Sequence, residues 1–426
     1  MILRDAWEVV VVGAGAAGLM AGIRAAELGR RTLVLEKNRK PGVKILMSGG
    51  TRCNLTHATD NRGIVEAFGP SGRFLHSALA ALSVRDTIEL FEQEGVATKV
   101  ESTGKIFPES NKATDVLAAL VARLNRSGAQ VALDEPLKEL VRDGDHFRLK
   151  TSNRTLEAEK VIITTGGVSY PGCGTTGDGY RWAEAFGHTM VRPRPALTPV
   201  TVDAQWVRSL QGVTIPDVRL RVVERTSEGM PPSNSGSSAR PAVLDDRRGS
   251  FLFTHFGLSG PVVLDVSRVI SGHAEPRRLG LVCDFLPTIE QAALDESLRR
   301  AAEESGRKLV TAILPESLPA RLAEHLLEAA GISPNERAGE FGRAKRAALV
   351  ERIKQLPIAV SGTRGFKKAE VTAGGVELDE IDSRTLESKR AKNLFLAGEV
   401  LDLDGPIGGY NFQAAWSTGW LAGQSV

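Results

Sequence analysis

The amino-terminal segment, residues 7–36, constrains the fold more than any other part of this sequence. It opens with the run WEVVVV, which is apolar and rich in β-branched residues and therefore favours a buried strand. Residues 16–28 are good helix formers that end before Gly29, and residues 32–35 form a second apolar run. The order of strand, helix and strand predicts the first βαβ unit of an α/β, Rossmann-like fold.

Three glycines separate the first strand from the helix in the arrangement G-x-G-x-x-G. Gly13 permits a tight turn, Gly15 lets a pyrophosphate approach the backbone, and Gly18 lets the helix pack closely on the sheet. Glu36 stands at the end of the second strand, where a carboxylate can accept both hydroxyls of an adenosine ribose. The pattern predicts a dinucleotide site but leaves FAD and NAD open.

Composition limits the class of protein. The 426 residues are enough for two or three domains, and a net charge of +3 is too close to balance to indicate a partner. The three cysteines, Cys53, Cys173 and Cys283, are far apart and form no C-x-x-C, which argues against a disulfide framework or a thiolate metal site. With no apolar run of about 18 residues and no room for a signal peptide, we expect a cytoplasmic protein without a membrane or metal partner.

A basic loop follows the second strand. Residues 37–57 read KNRKPGVKILMSGGTRCNLTH, and their glycines and polar residues exclude a long regular element. The SGGT run can turn several N–H groups toward one anion. A solvated loop is the simpler interpretation. We favour a cofactor-binding loop, because it leaves the ribose-binding end of the second strand.

Residues 44–56, KILMSGGTRCNLT, resemble the K-(I/L)-x-x-S-G-G-G-R-C-N-(V/L)-T motif of a widespread bacterial flavoprotein family. This family is described as NAD(P)/FAD-dependent oxidoreductases and includes aminoacetone oxidases. Thr51 stands where a third glycine is common in the family. Blocks at residues 166–180, 251–261 and 398–415 are also similar to the family, so the resemblance spans nearly the whole chain.

The resemblance implies that the dinucleotide is FAD. In flavoproteins of this class, a buried strand ending in Thr-Gly-Gly passes the pyrophosphate, as residues 160–167 would here. In two-dinucleotide-fold flavoproteins, a carboxylate such as Glu399 meets the ribityl and pyrophosphate region. The helix that follows directs its amino end at the flavin N1/O2 edge, which is negative in reduced flavin. NAD(P)H is a candidate second cofactor.

The predicted cofactor-binding residues come from the glycine turn, the basic loop, the Thr-Gly-Gly strand and the last block. They are Gly13, Gly15, Ala16, Ala17, Gly18, Glu36, Lys37, Lys44, Ser48, Gly49, Gly50, Arg52, Cys53, Asn54, Thr165, Gly166, Gly167, Asp178, Gly398, Glu399, Gly409, Tyr410, Asn411 and Phe412.

The same patterns predict three domains. A discontinuous FAD-binding domain would contain residues 1–193 and 377–426. A β-rich substrate domain would contain residues 194–287 and 357–376, with a small helical cap at residues 288–356. The alternation in residues 138–161 predicts a β-meander, and the polar stretch 226–242 predicts a loop.

Candidate catalytic residues are few, because a flavin itself would perform the redox chemistry. His255 follows a strand and precedes a glycine turn, which makes it a candidate substrate-facing acid or base, although a lone histidine is more often structural. Tyr170 could face the flavin or pack in the core. Disulfide reductases have two cysteines where this chain has only Cys53, so we expect Cys53 to be a packing residue rather than a nucleophile.

These inferences predict a FAD-dependent oxidoreductase acting by hydride transfer at flavin N5 on a small molecule. Its redox partner would be oxygen, as in an amine oxidase, or NAD(P)H, as in a reductase. An alternative is a role reported in the resembling family, reduction of uridine to dihydrouridine in ribosomal RNA. Arg364, Lys367 and Lys368 permit such a contact, whereas the small net charge gives it little support. A flavin-bound sensing protein is a third alternative.

Overall fold

The computed structural model describes residues 5–225 and 242–426, so residues 226–241 of the predicted polar loop lie outside the described part of the chain. The chain forms two compact units. The first combines residues 5–195 with Ala369–Val426, and the second is Ala196–Lys368. The first unit is therefore built from both ends of the chain.

This division differs in two details from the domain prediction. The sequence pattern places residues 369–376 in the β-rich domain, but they belong to the first unit. The helices of residues 288–356 share one hydrophobic core with the sheet of the second unit instead of forming a separate cap.

Strands occur along the whole described part of the chain. In order they are β1 (Asp5–Val12), β2 (Thr32–Leu35), β3 (Thr56–His57), β4 (Thr98–Val100), β5 (Lys105–Pro108), β6 (Gln130–Ala132), β7 (Leu137–Asp143), β8 (His146–Thr151), β9 (Thr155–Ile163), β10 (Met190–Ala196), β11 (Val200–Thr201), β12 (Thr214–Glu224), β13 (Val243–Thr254), β14 (Gly257–Ser259), β15 (Leu279–Asp284), β16 (Leu356–Ala359), β17 (Gly362–Thr363), β18 (Val371–Val376) and β19 (Leu394–Leu396).

Helices connect these strands and cover the sheets. They are α1 (Ala16–Glu27), α2 (Val43–Met47), α3 (Asn61–Ala67), α4 (His76–Ala81), α5 (Val84–Gln93), α6 (Ala113–Ser127), α7 (Asp178–Ala185), α8 (Gln205–Ser209), α9 (Pro261–Gly272), α10 (Gln291–Glu304), α11 (Ala320–Ala329), α12 (Arg343–Gln355) and α13 (Tyr410–Ser425). None of the helices in residues 5–225 and 242–426 is long and apolar enough to cross a membrane.

The main sheet of the first unit contains five parallel strands in the order β6, β2, β1, β9, β19. β1 and β2 are buried on both faces, which is why they read as continuous apolar runs. The antiparallel hairpin β7–β8 pairs with the beginning of β9, while the end of β9 pairs with β19. The last strand of the predicted meander and the strand predicted after it are thus one continuous strand, β9.

Helices α1 and α13 lie in near backbone contact. A Cβ atom on Gly419 would lie 2.2 Å from the Ala17 carbonyl oxygen, and one on Gly423 would lie 2.4 Å from that of Ala21. Because both contacts advance by four residues in the same sense, the two helices run parallel. Small residues on both helices permit this approach, which joins the first and last elements of the unit.

The second unit is organised around an antiparallel sheet in the order β16, β15, β12, β13, β14, β11, β17. Its core combines aromatic residues of the sheet, such as Phe251 and Phe253, with leucines of the helical segment, such as Leu326 and Leu349. The leucine periodicity of residues 288–356 therefore marks the faces that cover this sheet.

Candidate cofactor site

The tight packing of the β1–α1 turn requires glycine at two positions, one in the turn and one in the first turn of α1. Gly13 has φ +104°, its N–H donates to the Leu35 carbonyl at 2.8 Å, and an added Cβ would lie 2.8 Å from the Thr164 carbonyl oxygen. A Cβ on Gly18 would lie 1.7 Å from the Gly13 carbonyl oxygen. The turn therefore folds tightly against both the helix and the end of β9.

Gly15, in contrast, faces open space. It is the N-cap of α1, with φ −79° and ψ −167°, and a Cβ there would meet no atom within 4 Å. No side chain caps the helix, and its first turn contains no acidic residue. The first N–H groups of α1 are therefore left for an anion, which the helix dipole also favours.

Glu36 is buried at the end of β2 and organises the glycine turn. One carboxylate oxygen accepts from the Ala14 N–H and the other from the Asn38 N–H, both at 2.8 Å. A carboxylate has about four acceptor positions, so these bonds leave capacity for ribose hydroxyls. The position predicted for ribose binding thus also supports the turn that would hold the pyrophosphate.

Lys44 and Glu399 form an ion pair between the basic loop and the last sequence block. The Lys44 Nζ lies 2.5 Å from Glu399 Oε2, and Glu399 Oε1 accepts from the Thr372 N–H at 2.8 Å. A Cβ on Gly166 would lie 3.9 Å from Glu399 Oε2. The end of β9, the start of β18 and the end of β19 therefore meet at this carboxylate.

Lys37 and Asp178 form a second pair of predicted site residues. The Lys37 Nζ lies 2.6 Å from both Asp178 Oδ2 and Thr176 Oγ1. Burial alone would raise the pKa of Asp178, but the hydrogen bonds from Lys37 and Thr176 hold that pKa below its usual value. Neither the Thr176 nor the Asp178 side chain caps α7, because its N-cap is Gly177 in the left-handed conformation.

The loop after α2 is wound in the left-handed region. The φ angles are +56° at Gly49, +66° at Gly50 and +69° at Thr51, and Cys53 has +60°. Two of these residues carry a Cβ, for which this region is unfavourable. Gly50 has open space around its Cβ position. A loop that keeps such a conformation is consistent with a binding function.

Asn54 is buried, and its Oδ1 atom has no hydrogen-bond partner among the described residues. The neighbouring Cys53 is fully buried, and burial raises the pKa of its thiol to about 12. Cys53 is thus a protonated thiol rather than a nucleophile. The Arg52 guanidinium lies over the Phe107 ring at 4.0 Å and binds Glu101 at 2.6 Å.

The amino end of α13, like that of α1, has a glycine N-cap and no capping side chain. Gly409 is the N-cap with φ +96°, and a Cβ on it would lie 2.5 Å from the Thr56 carbonyl carbon. The first turn has no acidic residue and no side-chain cap. The Asn411 side chain closes the preceding loop by bonding to Gly405, and the Phe412 ring stacks on Trp416 at 5.2 Å.

The two helix ends are displaced along a common direction. α13 begins nine residues before Gly419, whereas α1 begins one residue before the contacting Ala17. Eight residues at 1.5 Å each place the two amino ends roughly 12 Å apart along parallel axes. One elongated ligand can therefore place separate negative charges at both ends.

These features fit FAD. Helix α1 would hold the pyrophosphate, Glu36 the adenosine ribose, and the loop at residues 48–54 with the start of α13 the ribityl chain and flavin ring. Two buried polar atoms, Asn54 Oδ1 and Thr165 Oγ1, lack partners in the described residues. The fit rests on the open backbone at Gly15 and Gly50 and on the two helix ends without a capping side chain.

The structure places every predicted cofactor-binding residue in the first unit. The prediction for His255 concerns the second unit, where this exposed residue forms the turn between β13 and β14 and its ring contacts Phe256 at 4.9 Å. Its catalytic role stays a prediction. Tyr170 has φ +55° and is half-buried, while the Cys173 thiol lies 3.1 Å from the Met47 sulfur.

Sequence reasoning missed Thr372, whose hydroxyl accepts from the N–H groups of Val168 at 2.9 Å and Ser169 at 3.0 Å. It also missed His57, the residue directly after the CNLT run. The position of His57 was a usable signal, whereas nothing local marks Thr372, which acts on residues more than 200 positions earlier.

Comparison with known proteins identifies the family. The model described as HI0933-like protein Rossmann domain matches residues 7–425, so the chain belongs to this family. The ribosomal RNA dihydrouridine synthase of Escherichia coli K12 is 33% identical over 425 residues, covering 99% of this chain and 98% of the relative. The 3-dehydro-bile acid delta(4,6)-reductase of Clostridium scindens is 30% identical over 422 residues, covering 98% of each chain.

A solved structure, the 3-ketosteroid-delta4-(5alpha)-dehydrogenase of Rhodococcus jostii, has a TM-score of 0.51. It is 16% identical and covers 99% of this chain and 96% of that one, which supports the fold alone. With the geometry and the family together, this chain is a flavin-dependent oxidoreductase with FAD as its cofactor.

Proposed function

We propose that this flavoprotein reduces a carbon–carbon double bond conjugated to a carbonyl group in a small molecule, with NAD(P)H as the electron source. The observation that carries the redox assignment is the pair of uncapped helix ends at Gly15 and Gly409, which are offset by roughly 12 Å along the helix axes and have no acidic residue in their first turns. Such an arrangement suits a dinucleotide that becomes more negative on reduction.

The substrate class is supported by the names of two relatives. One name describes a reductase of a 3-dehydro-bile acid at positions 4 and 6, and the other describes synthesis of dihydrouridine, which is uridine with two added hydrogens. Both names describe hydrogenation of an unsaturated substrate. They favour a reductase over an amine oxidase for this chain.

Several parts of the FAD site would contribute to this reduction. FAD, when bound and reduced by NAD(P)H, would supply hydride-transfer chemistry for the β-carbon of the substrate, and the α-carbon would receive a proton. Helix α13 would stabilise negative charge through its first N–H groups. The Lys44–Glu399 pair would orient the ribityl region, and the fully buried Cys53 would support the loop at residues 48–54 as a neutral thiol.

The proton needs a donor, and we retain His255 for this role. It is an exposed side chain at a strand end, so a substrate can reach it, and an imidazole can donate a proton. His255→Asn keeps a polar side chain without a titratable group. We expect this change to slow substrate reduction while leaving flavin reduction by NAD(P)H unchanged.

Anaerobic stopped-flow spectroscopy tests the proposal directly. NADH or NADPH should bleach the flavin absorbance, and a conjugated enone such as 2-cyclohexenone or a 4-ene-3-ketosteroid should restore it with formation of the saturated product. Aminoacetone, a primary amine, should not bleach the flavin. Bleaching by the amine but by neither nicotinamide would refute the reductase assignment.

Ribosomal RNA is the second candidate substrate, favoured by the 33% identity to the Escherichia coli protein over nearly the full length of both chains. The uracil C5–C6 double bond is itself conjugated to a carbonyl, so the redox chemistry would be the same. Mass spectrometry of ribosomal RNA from a deletion strain separates the two substrates. Dihydrouridine that disappears on deletion and returns with the wild-type gene would favour RNA over a small molecule.

A further inference from the structure

We propose that His57 is a positioning residue that fixes the turn before α13 and thereby directs the first N–H groups of this helix at the reduced flavin. The inference rests on the FAD site rather than on the proposed substrate. It concerns only residues of the first unit, and the role is indirect, through the backbone of Gly408 and Gly409.

The first observation is a hydrogen bond that defines the tautomer. His57 Nδ1 lies 3.0 Å from the Gly408 carbonyl oxygen. Because a carbonyl can only accept, Nδ1 must carry the hydrogen, and in the neutral ring Nε2 has the lone pair. The imidazole therefore acts as a donor to this peptide whether or not it is protonated.

The second observation is a ring stack on the other side of the N-cap. The His57 ring lies 4.6 Å from the Tyr410 ring, with an angle of 21° between their planes. Tyr410 is the first residue of α13, and Gly408 precedes the N-cap Gly409. One imidazole thus contacts the residues on both sides of Gly409.

The backbone at this turn needs such a restraint. Gly408 has φ +129° and Gly409 has φ +96°, and consecutive glycines have the largest conformational freedom in an unrestrained chain. A Cβ on Gly409 would lie 2.5 Å from Thr56, the residue before His57. A Cβ on Gly104 would lie 2.6 Å from His57 Nε2, so the ring is enclosed from that side as well.

The consequence concerns the reduced cofactor. The N–H groups at the start of a helix stabilise an anion only while they point at it, and this electrostatic effect declines within the first turn. If the Gly408–Gly409 peptides sample other conformations, reduced FAD loses more binding energy than oxidised FAD does. The two-electron potential of bound FAD therefore reports on the position of this turn.

The test compares His57→Phe, which keeps the stack and removes the donor, with His57→Asn, whose amide can still donate to Gly408. We expect H57F to lower the affinity for reduced relative to oxidised FAD about tenfold, equivalent to about 30 mV in a two-electron potential. H57N should retain most of the wild-type potential. His146→Phe, at an exposed position on β8, is the matched control and should change nothing.

Hydrogen exchange in the apoprotein provides a measurement that does not depend on FAD retention. Residues 409–412 should exchange faster in H57F than in the wild type and at the wild-type rate in H146F. Equal potentials and equal exchange in H57F and the wild type would overturn the proposal. If the potential of bound FAD falls as much in H57N as in H57F, the proposal is also overturned, since the hydrogen bond would then not be the cause.

Discussion

The ammonium group of Lys44 lies 2.5 Å from the carboxylate of Glu399, although 355 positions separate the two residues in the sequence. Lys44 belongs to α2, in the basic loop, and Glu399 follows β19. Their side chains are 28% and 19% exposed, so the pair is only partly solvated. This contact joins the first and last parts of the chain at the site that we assign to the ribityl region of FAD.

Glu399→Gln should weaken FAD binding about tenfold, because it removes the charge that holds Lys44 while its amide oxygen still accepts from Thr372. Titration of the apoprotein with FAD, followed by fluorescence quenching, measures this. Glu66→Gln breaks the exposed pair with Arg62 and serves as the control with unchanged affinity. Equal affinities for E399Q and the wild type would contradict the assignment.

Thr51→Gly should stabilise the protein. Thr51 has φ +69°, which costs a residue with a Cβ about 1–2 kcal/mol, whereas glycine adds about 0.5–1 kcal/mol of chain entropy to the unfolded state. The net gain is about 0.5–1 kcal/mol, seen as a rise of about 1–3 °C in Tm. Thr114→Gly, within the right-handed helix α6, should lower Tm. Loss of stability in T51G would show that the left-handed turn is not strained.

Acid should destabilise the first unit through His188. This buried ring lies 3.1 Å from Glu380 through Nδ1 and 2.8 Å from the Ser388 hydroxyl through Nε2. Ser388 Oγ also accepts from the N–H groups of Arg390 and Ala391, so a second ring hydrogen would have no free acceptor. Burial accordingly lowers the pKa of His188 below the usual value near 6.5.

The lowered pKa of His188 in the folded state determines how stability depends on pH. Below about pH 6.5 the unfolded chain binds a proton at this histidine that the folded chain resists, so stability falls as the pH falls. The hydrogen bond from Arg390 lowers the pKa of Glu380 to about 2, so the folded protein loses further stability as the pH falls below 4.5. Melting curves between pH 8 and 4 should show a steeper decline for the wild type than for His188→Gln. If Tm declines equally with pH in the wild type and in His188→Gln, His188 is excluded as the titrating group.

Cys53→Ser should retain FAD and most of the rate of flavin reduction. The thiol is buried and protonated, and its pKa is raised to about 12, so it cannot serve as a thiolate nucleophile at neutral pH. Flavin absorbance and stopped-flow reduction by NAD(P)H measure both properties. If turnover disappears while FAD remains bound, the thiol takes part in the chemistry.

The features that sequence could predict are those whose signals are local. Gly13, Gly15 and Gly18 lie within six residues, and their spacing alone specifies the turn that the structure contains. The apolar run of β1 and the acid at Glu36 complete the same unit. The Rossmann-like fold and FAD as the cofactor are confirmed by the family match and the geometry.

Other features were out of reach because they depend on contacts between distant segments. The Lys44–Glu399 and His188–Glu380 pairs join residues 355 and 192 positions apart, and nothing in either neighbourhood specifies the partner. Helical periodicity in residues 288–356 identifies a buried face but not what covers it. The N-cap of α7 is likewise not marked locally, because Gly177 adopts a left-handed conformation there and neither Thr176 nor Asp178 caps the helix.

The most direct test of the FAD site is Gly15→Asp. Gly15 and Gly342 are both N-caps with extended backbone and with open space around the Cβ position, so aspartate fits at either. An aspartate at Gly15 would cap α1 but also occupy the anion site with negative charge. Gly342→Asp caps α12 in the same way and is the control.

The measurement is the FAD affinity of the two apoproteins together with their Tm values. We predict that G15D folds with a Tm at least equal to that of wild-type apoprotein yet binds FAD more than about 100-fold more weakly, since a charge replaces the pyrophosphate. G342D should bind FAD like the wild type. Full FAD affinity in a folded G15D variant would contradict the assignment of the cofactor site.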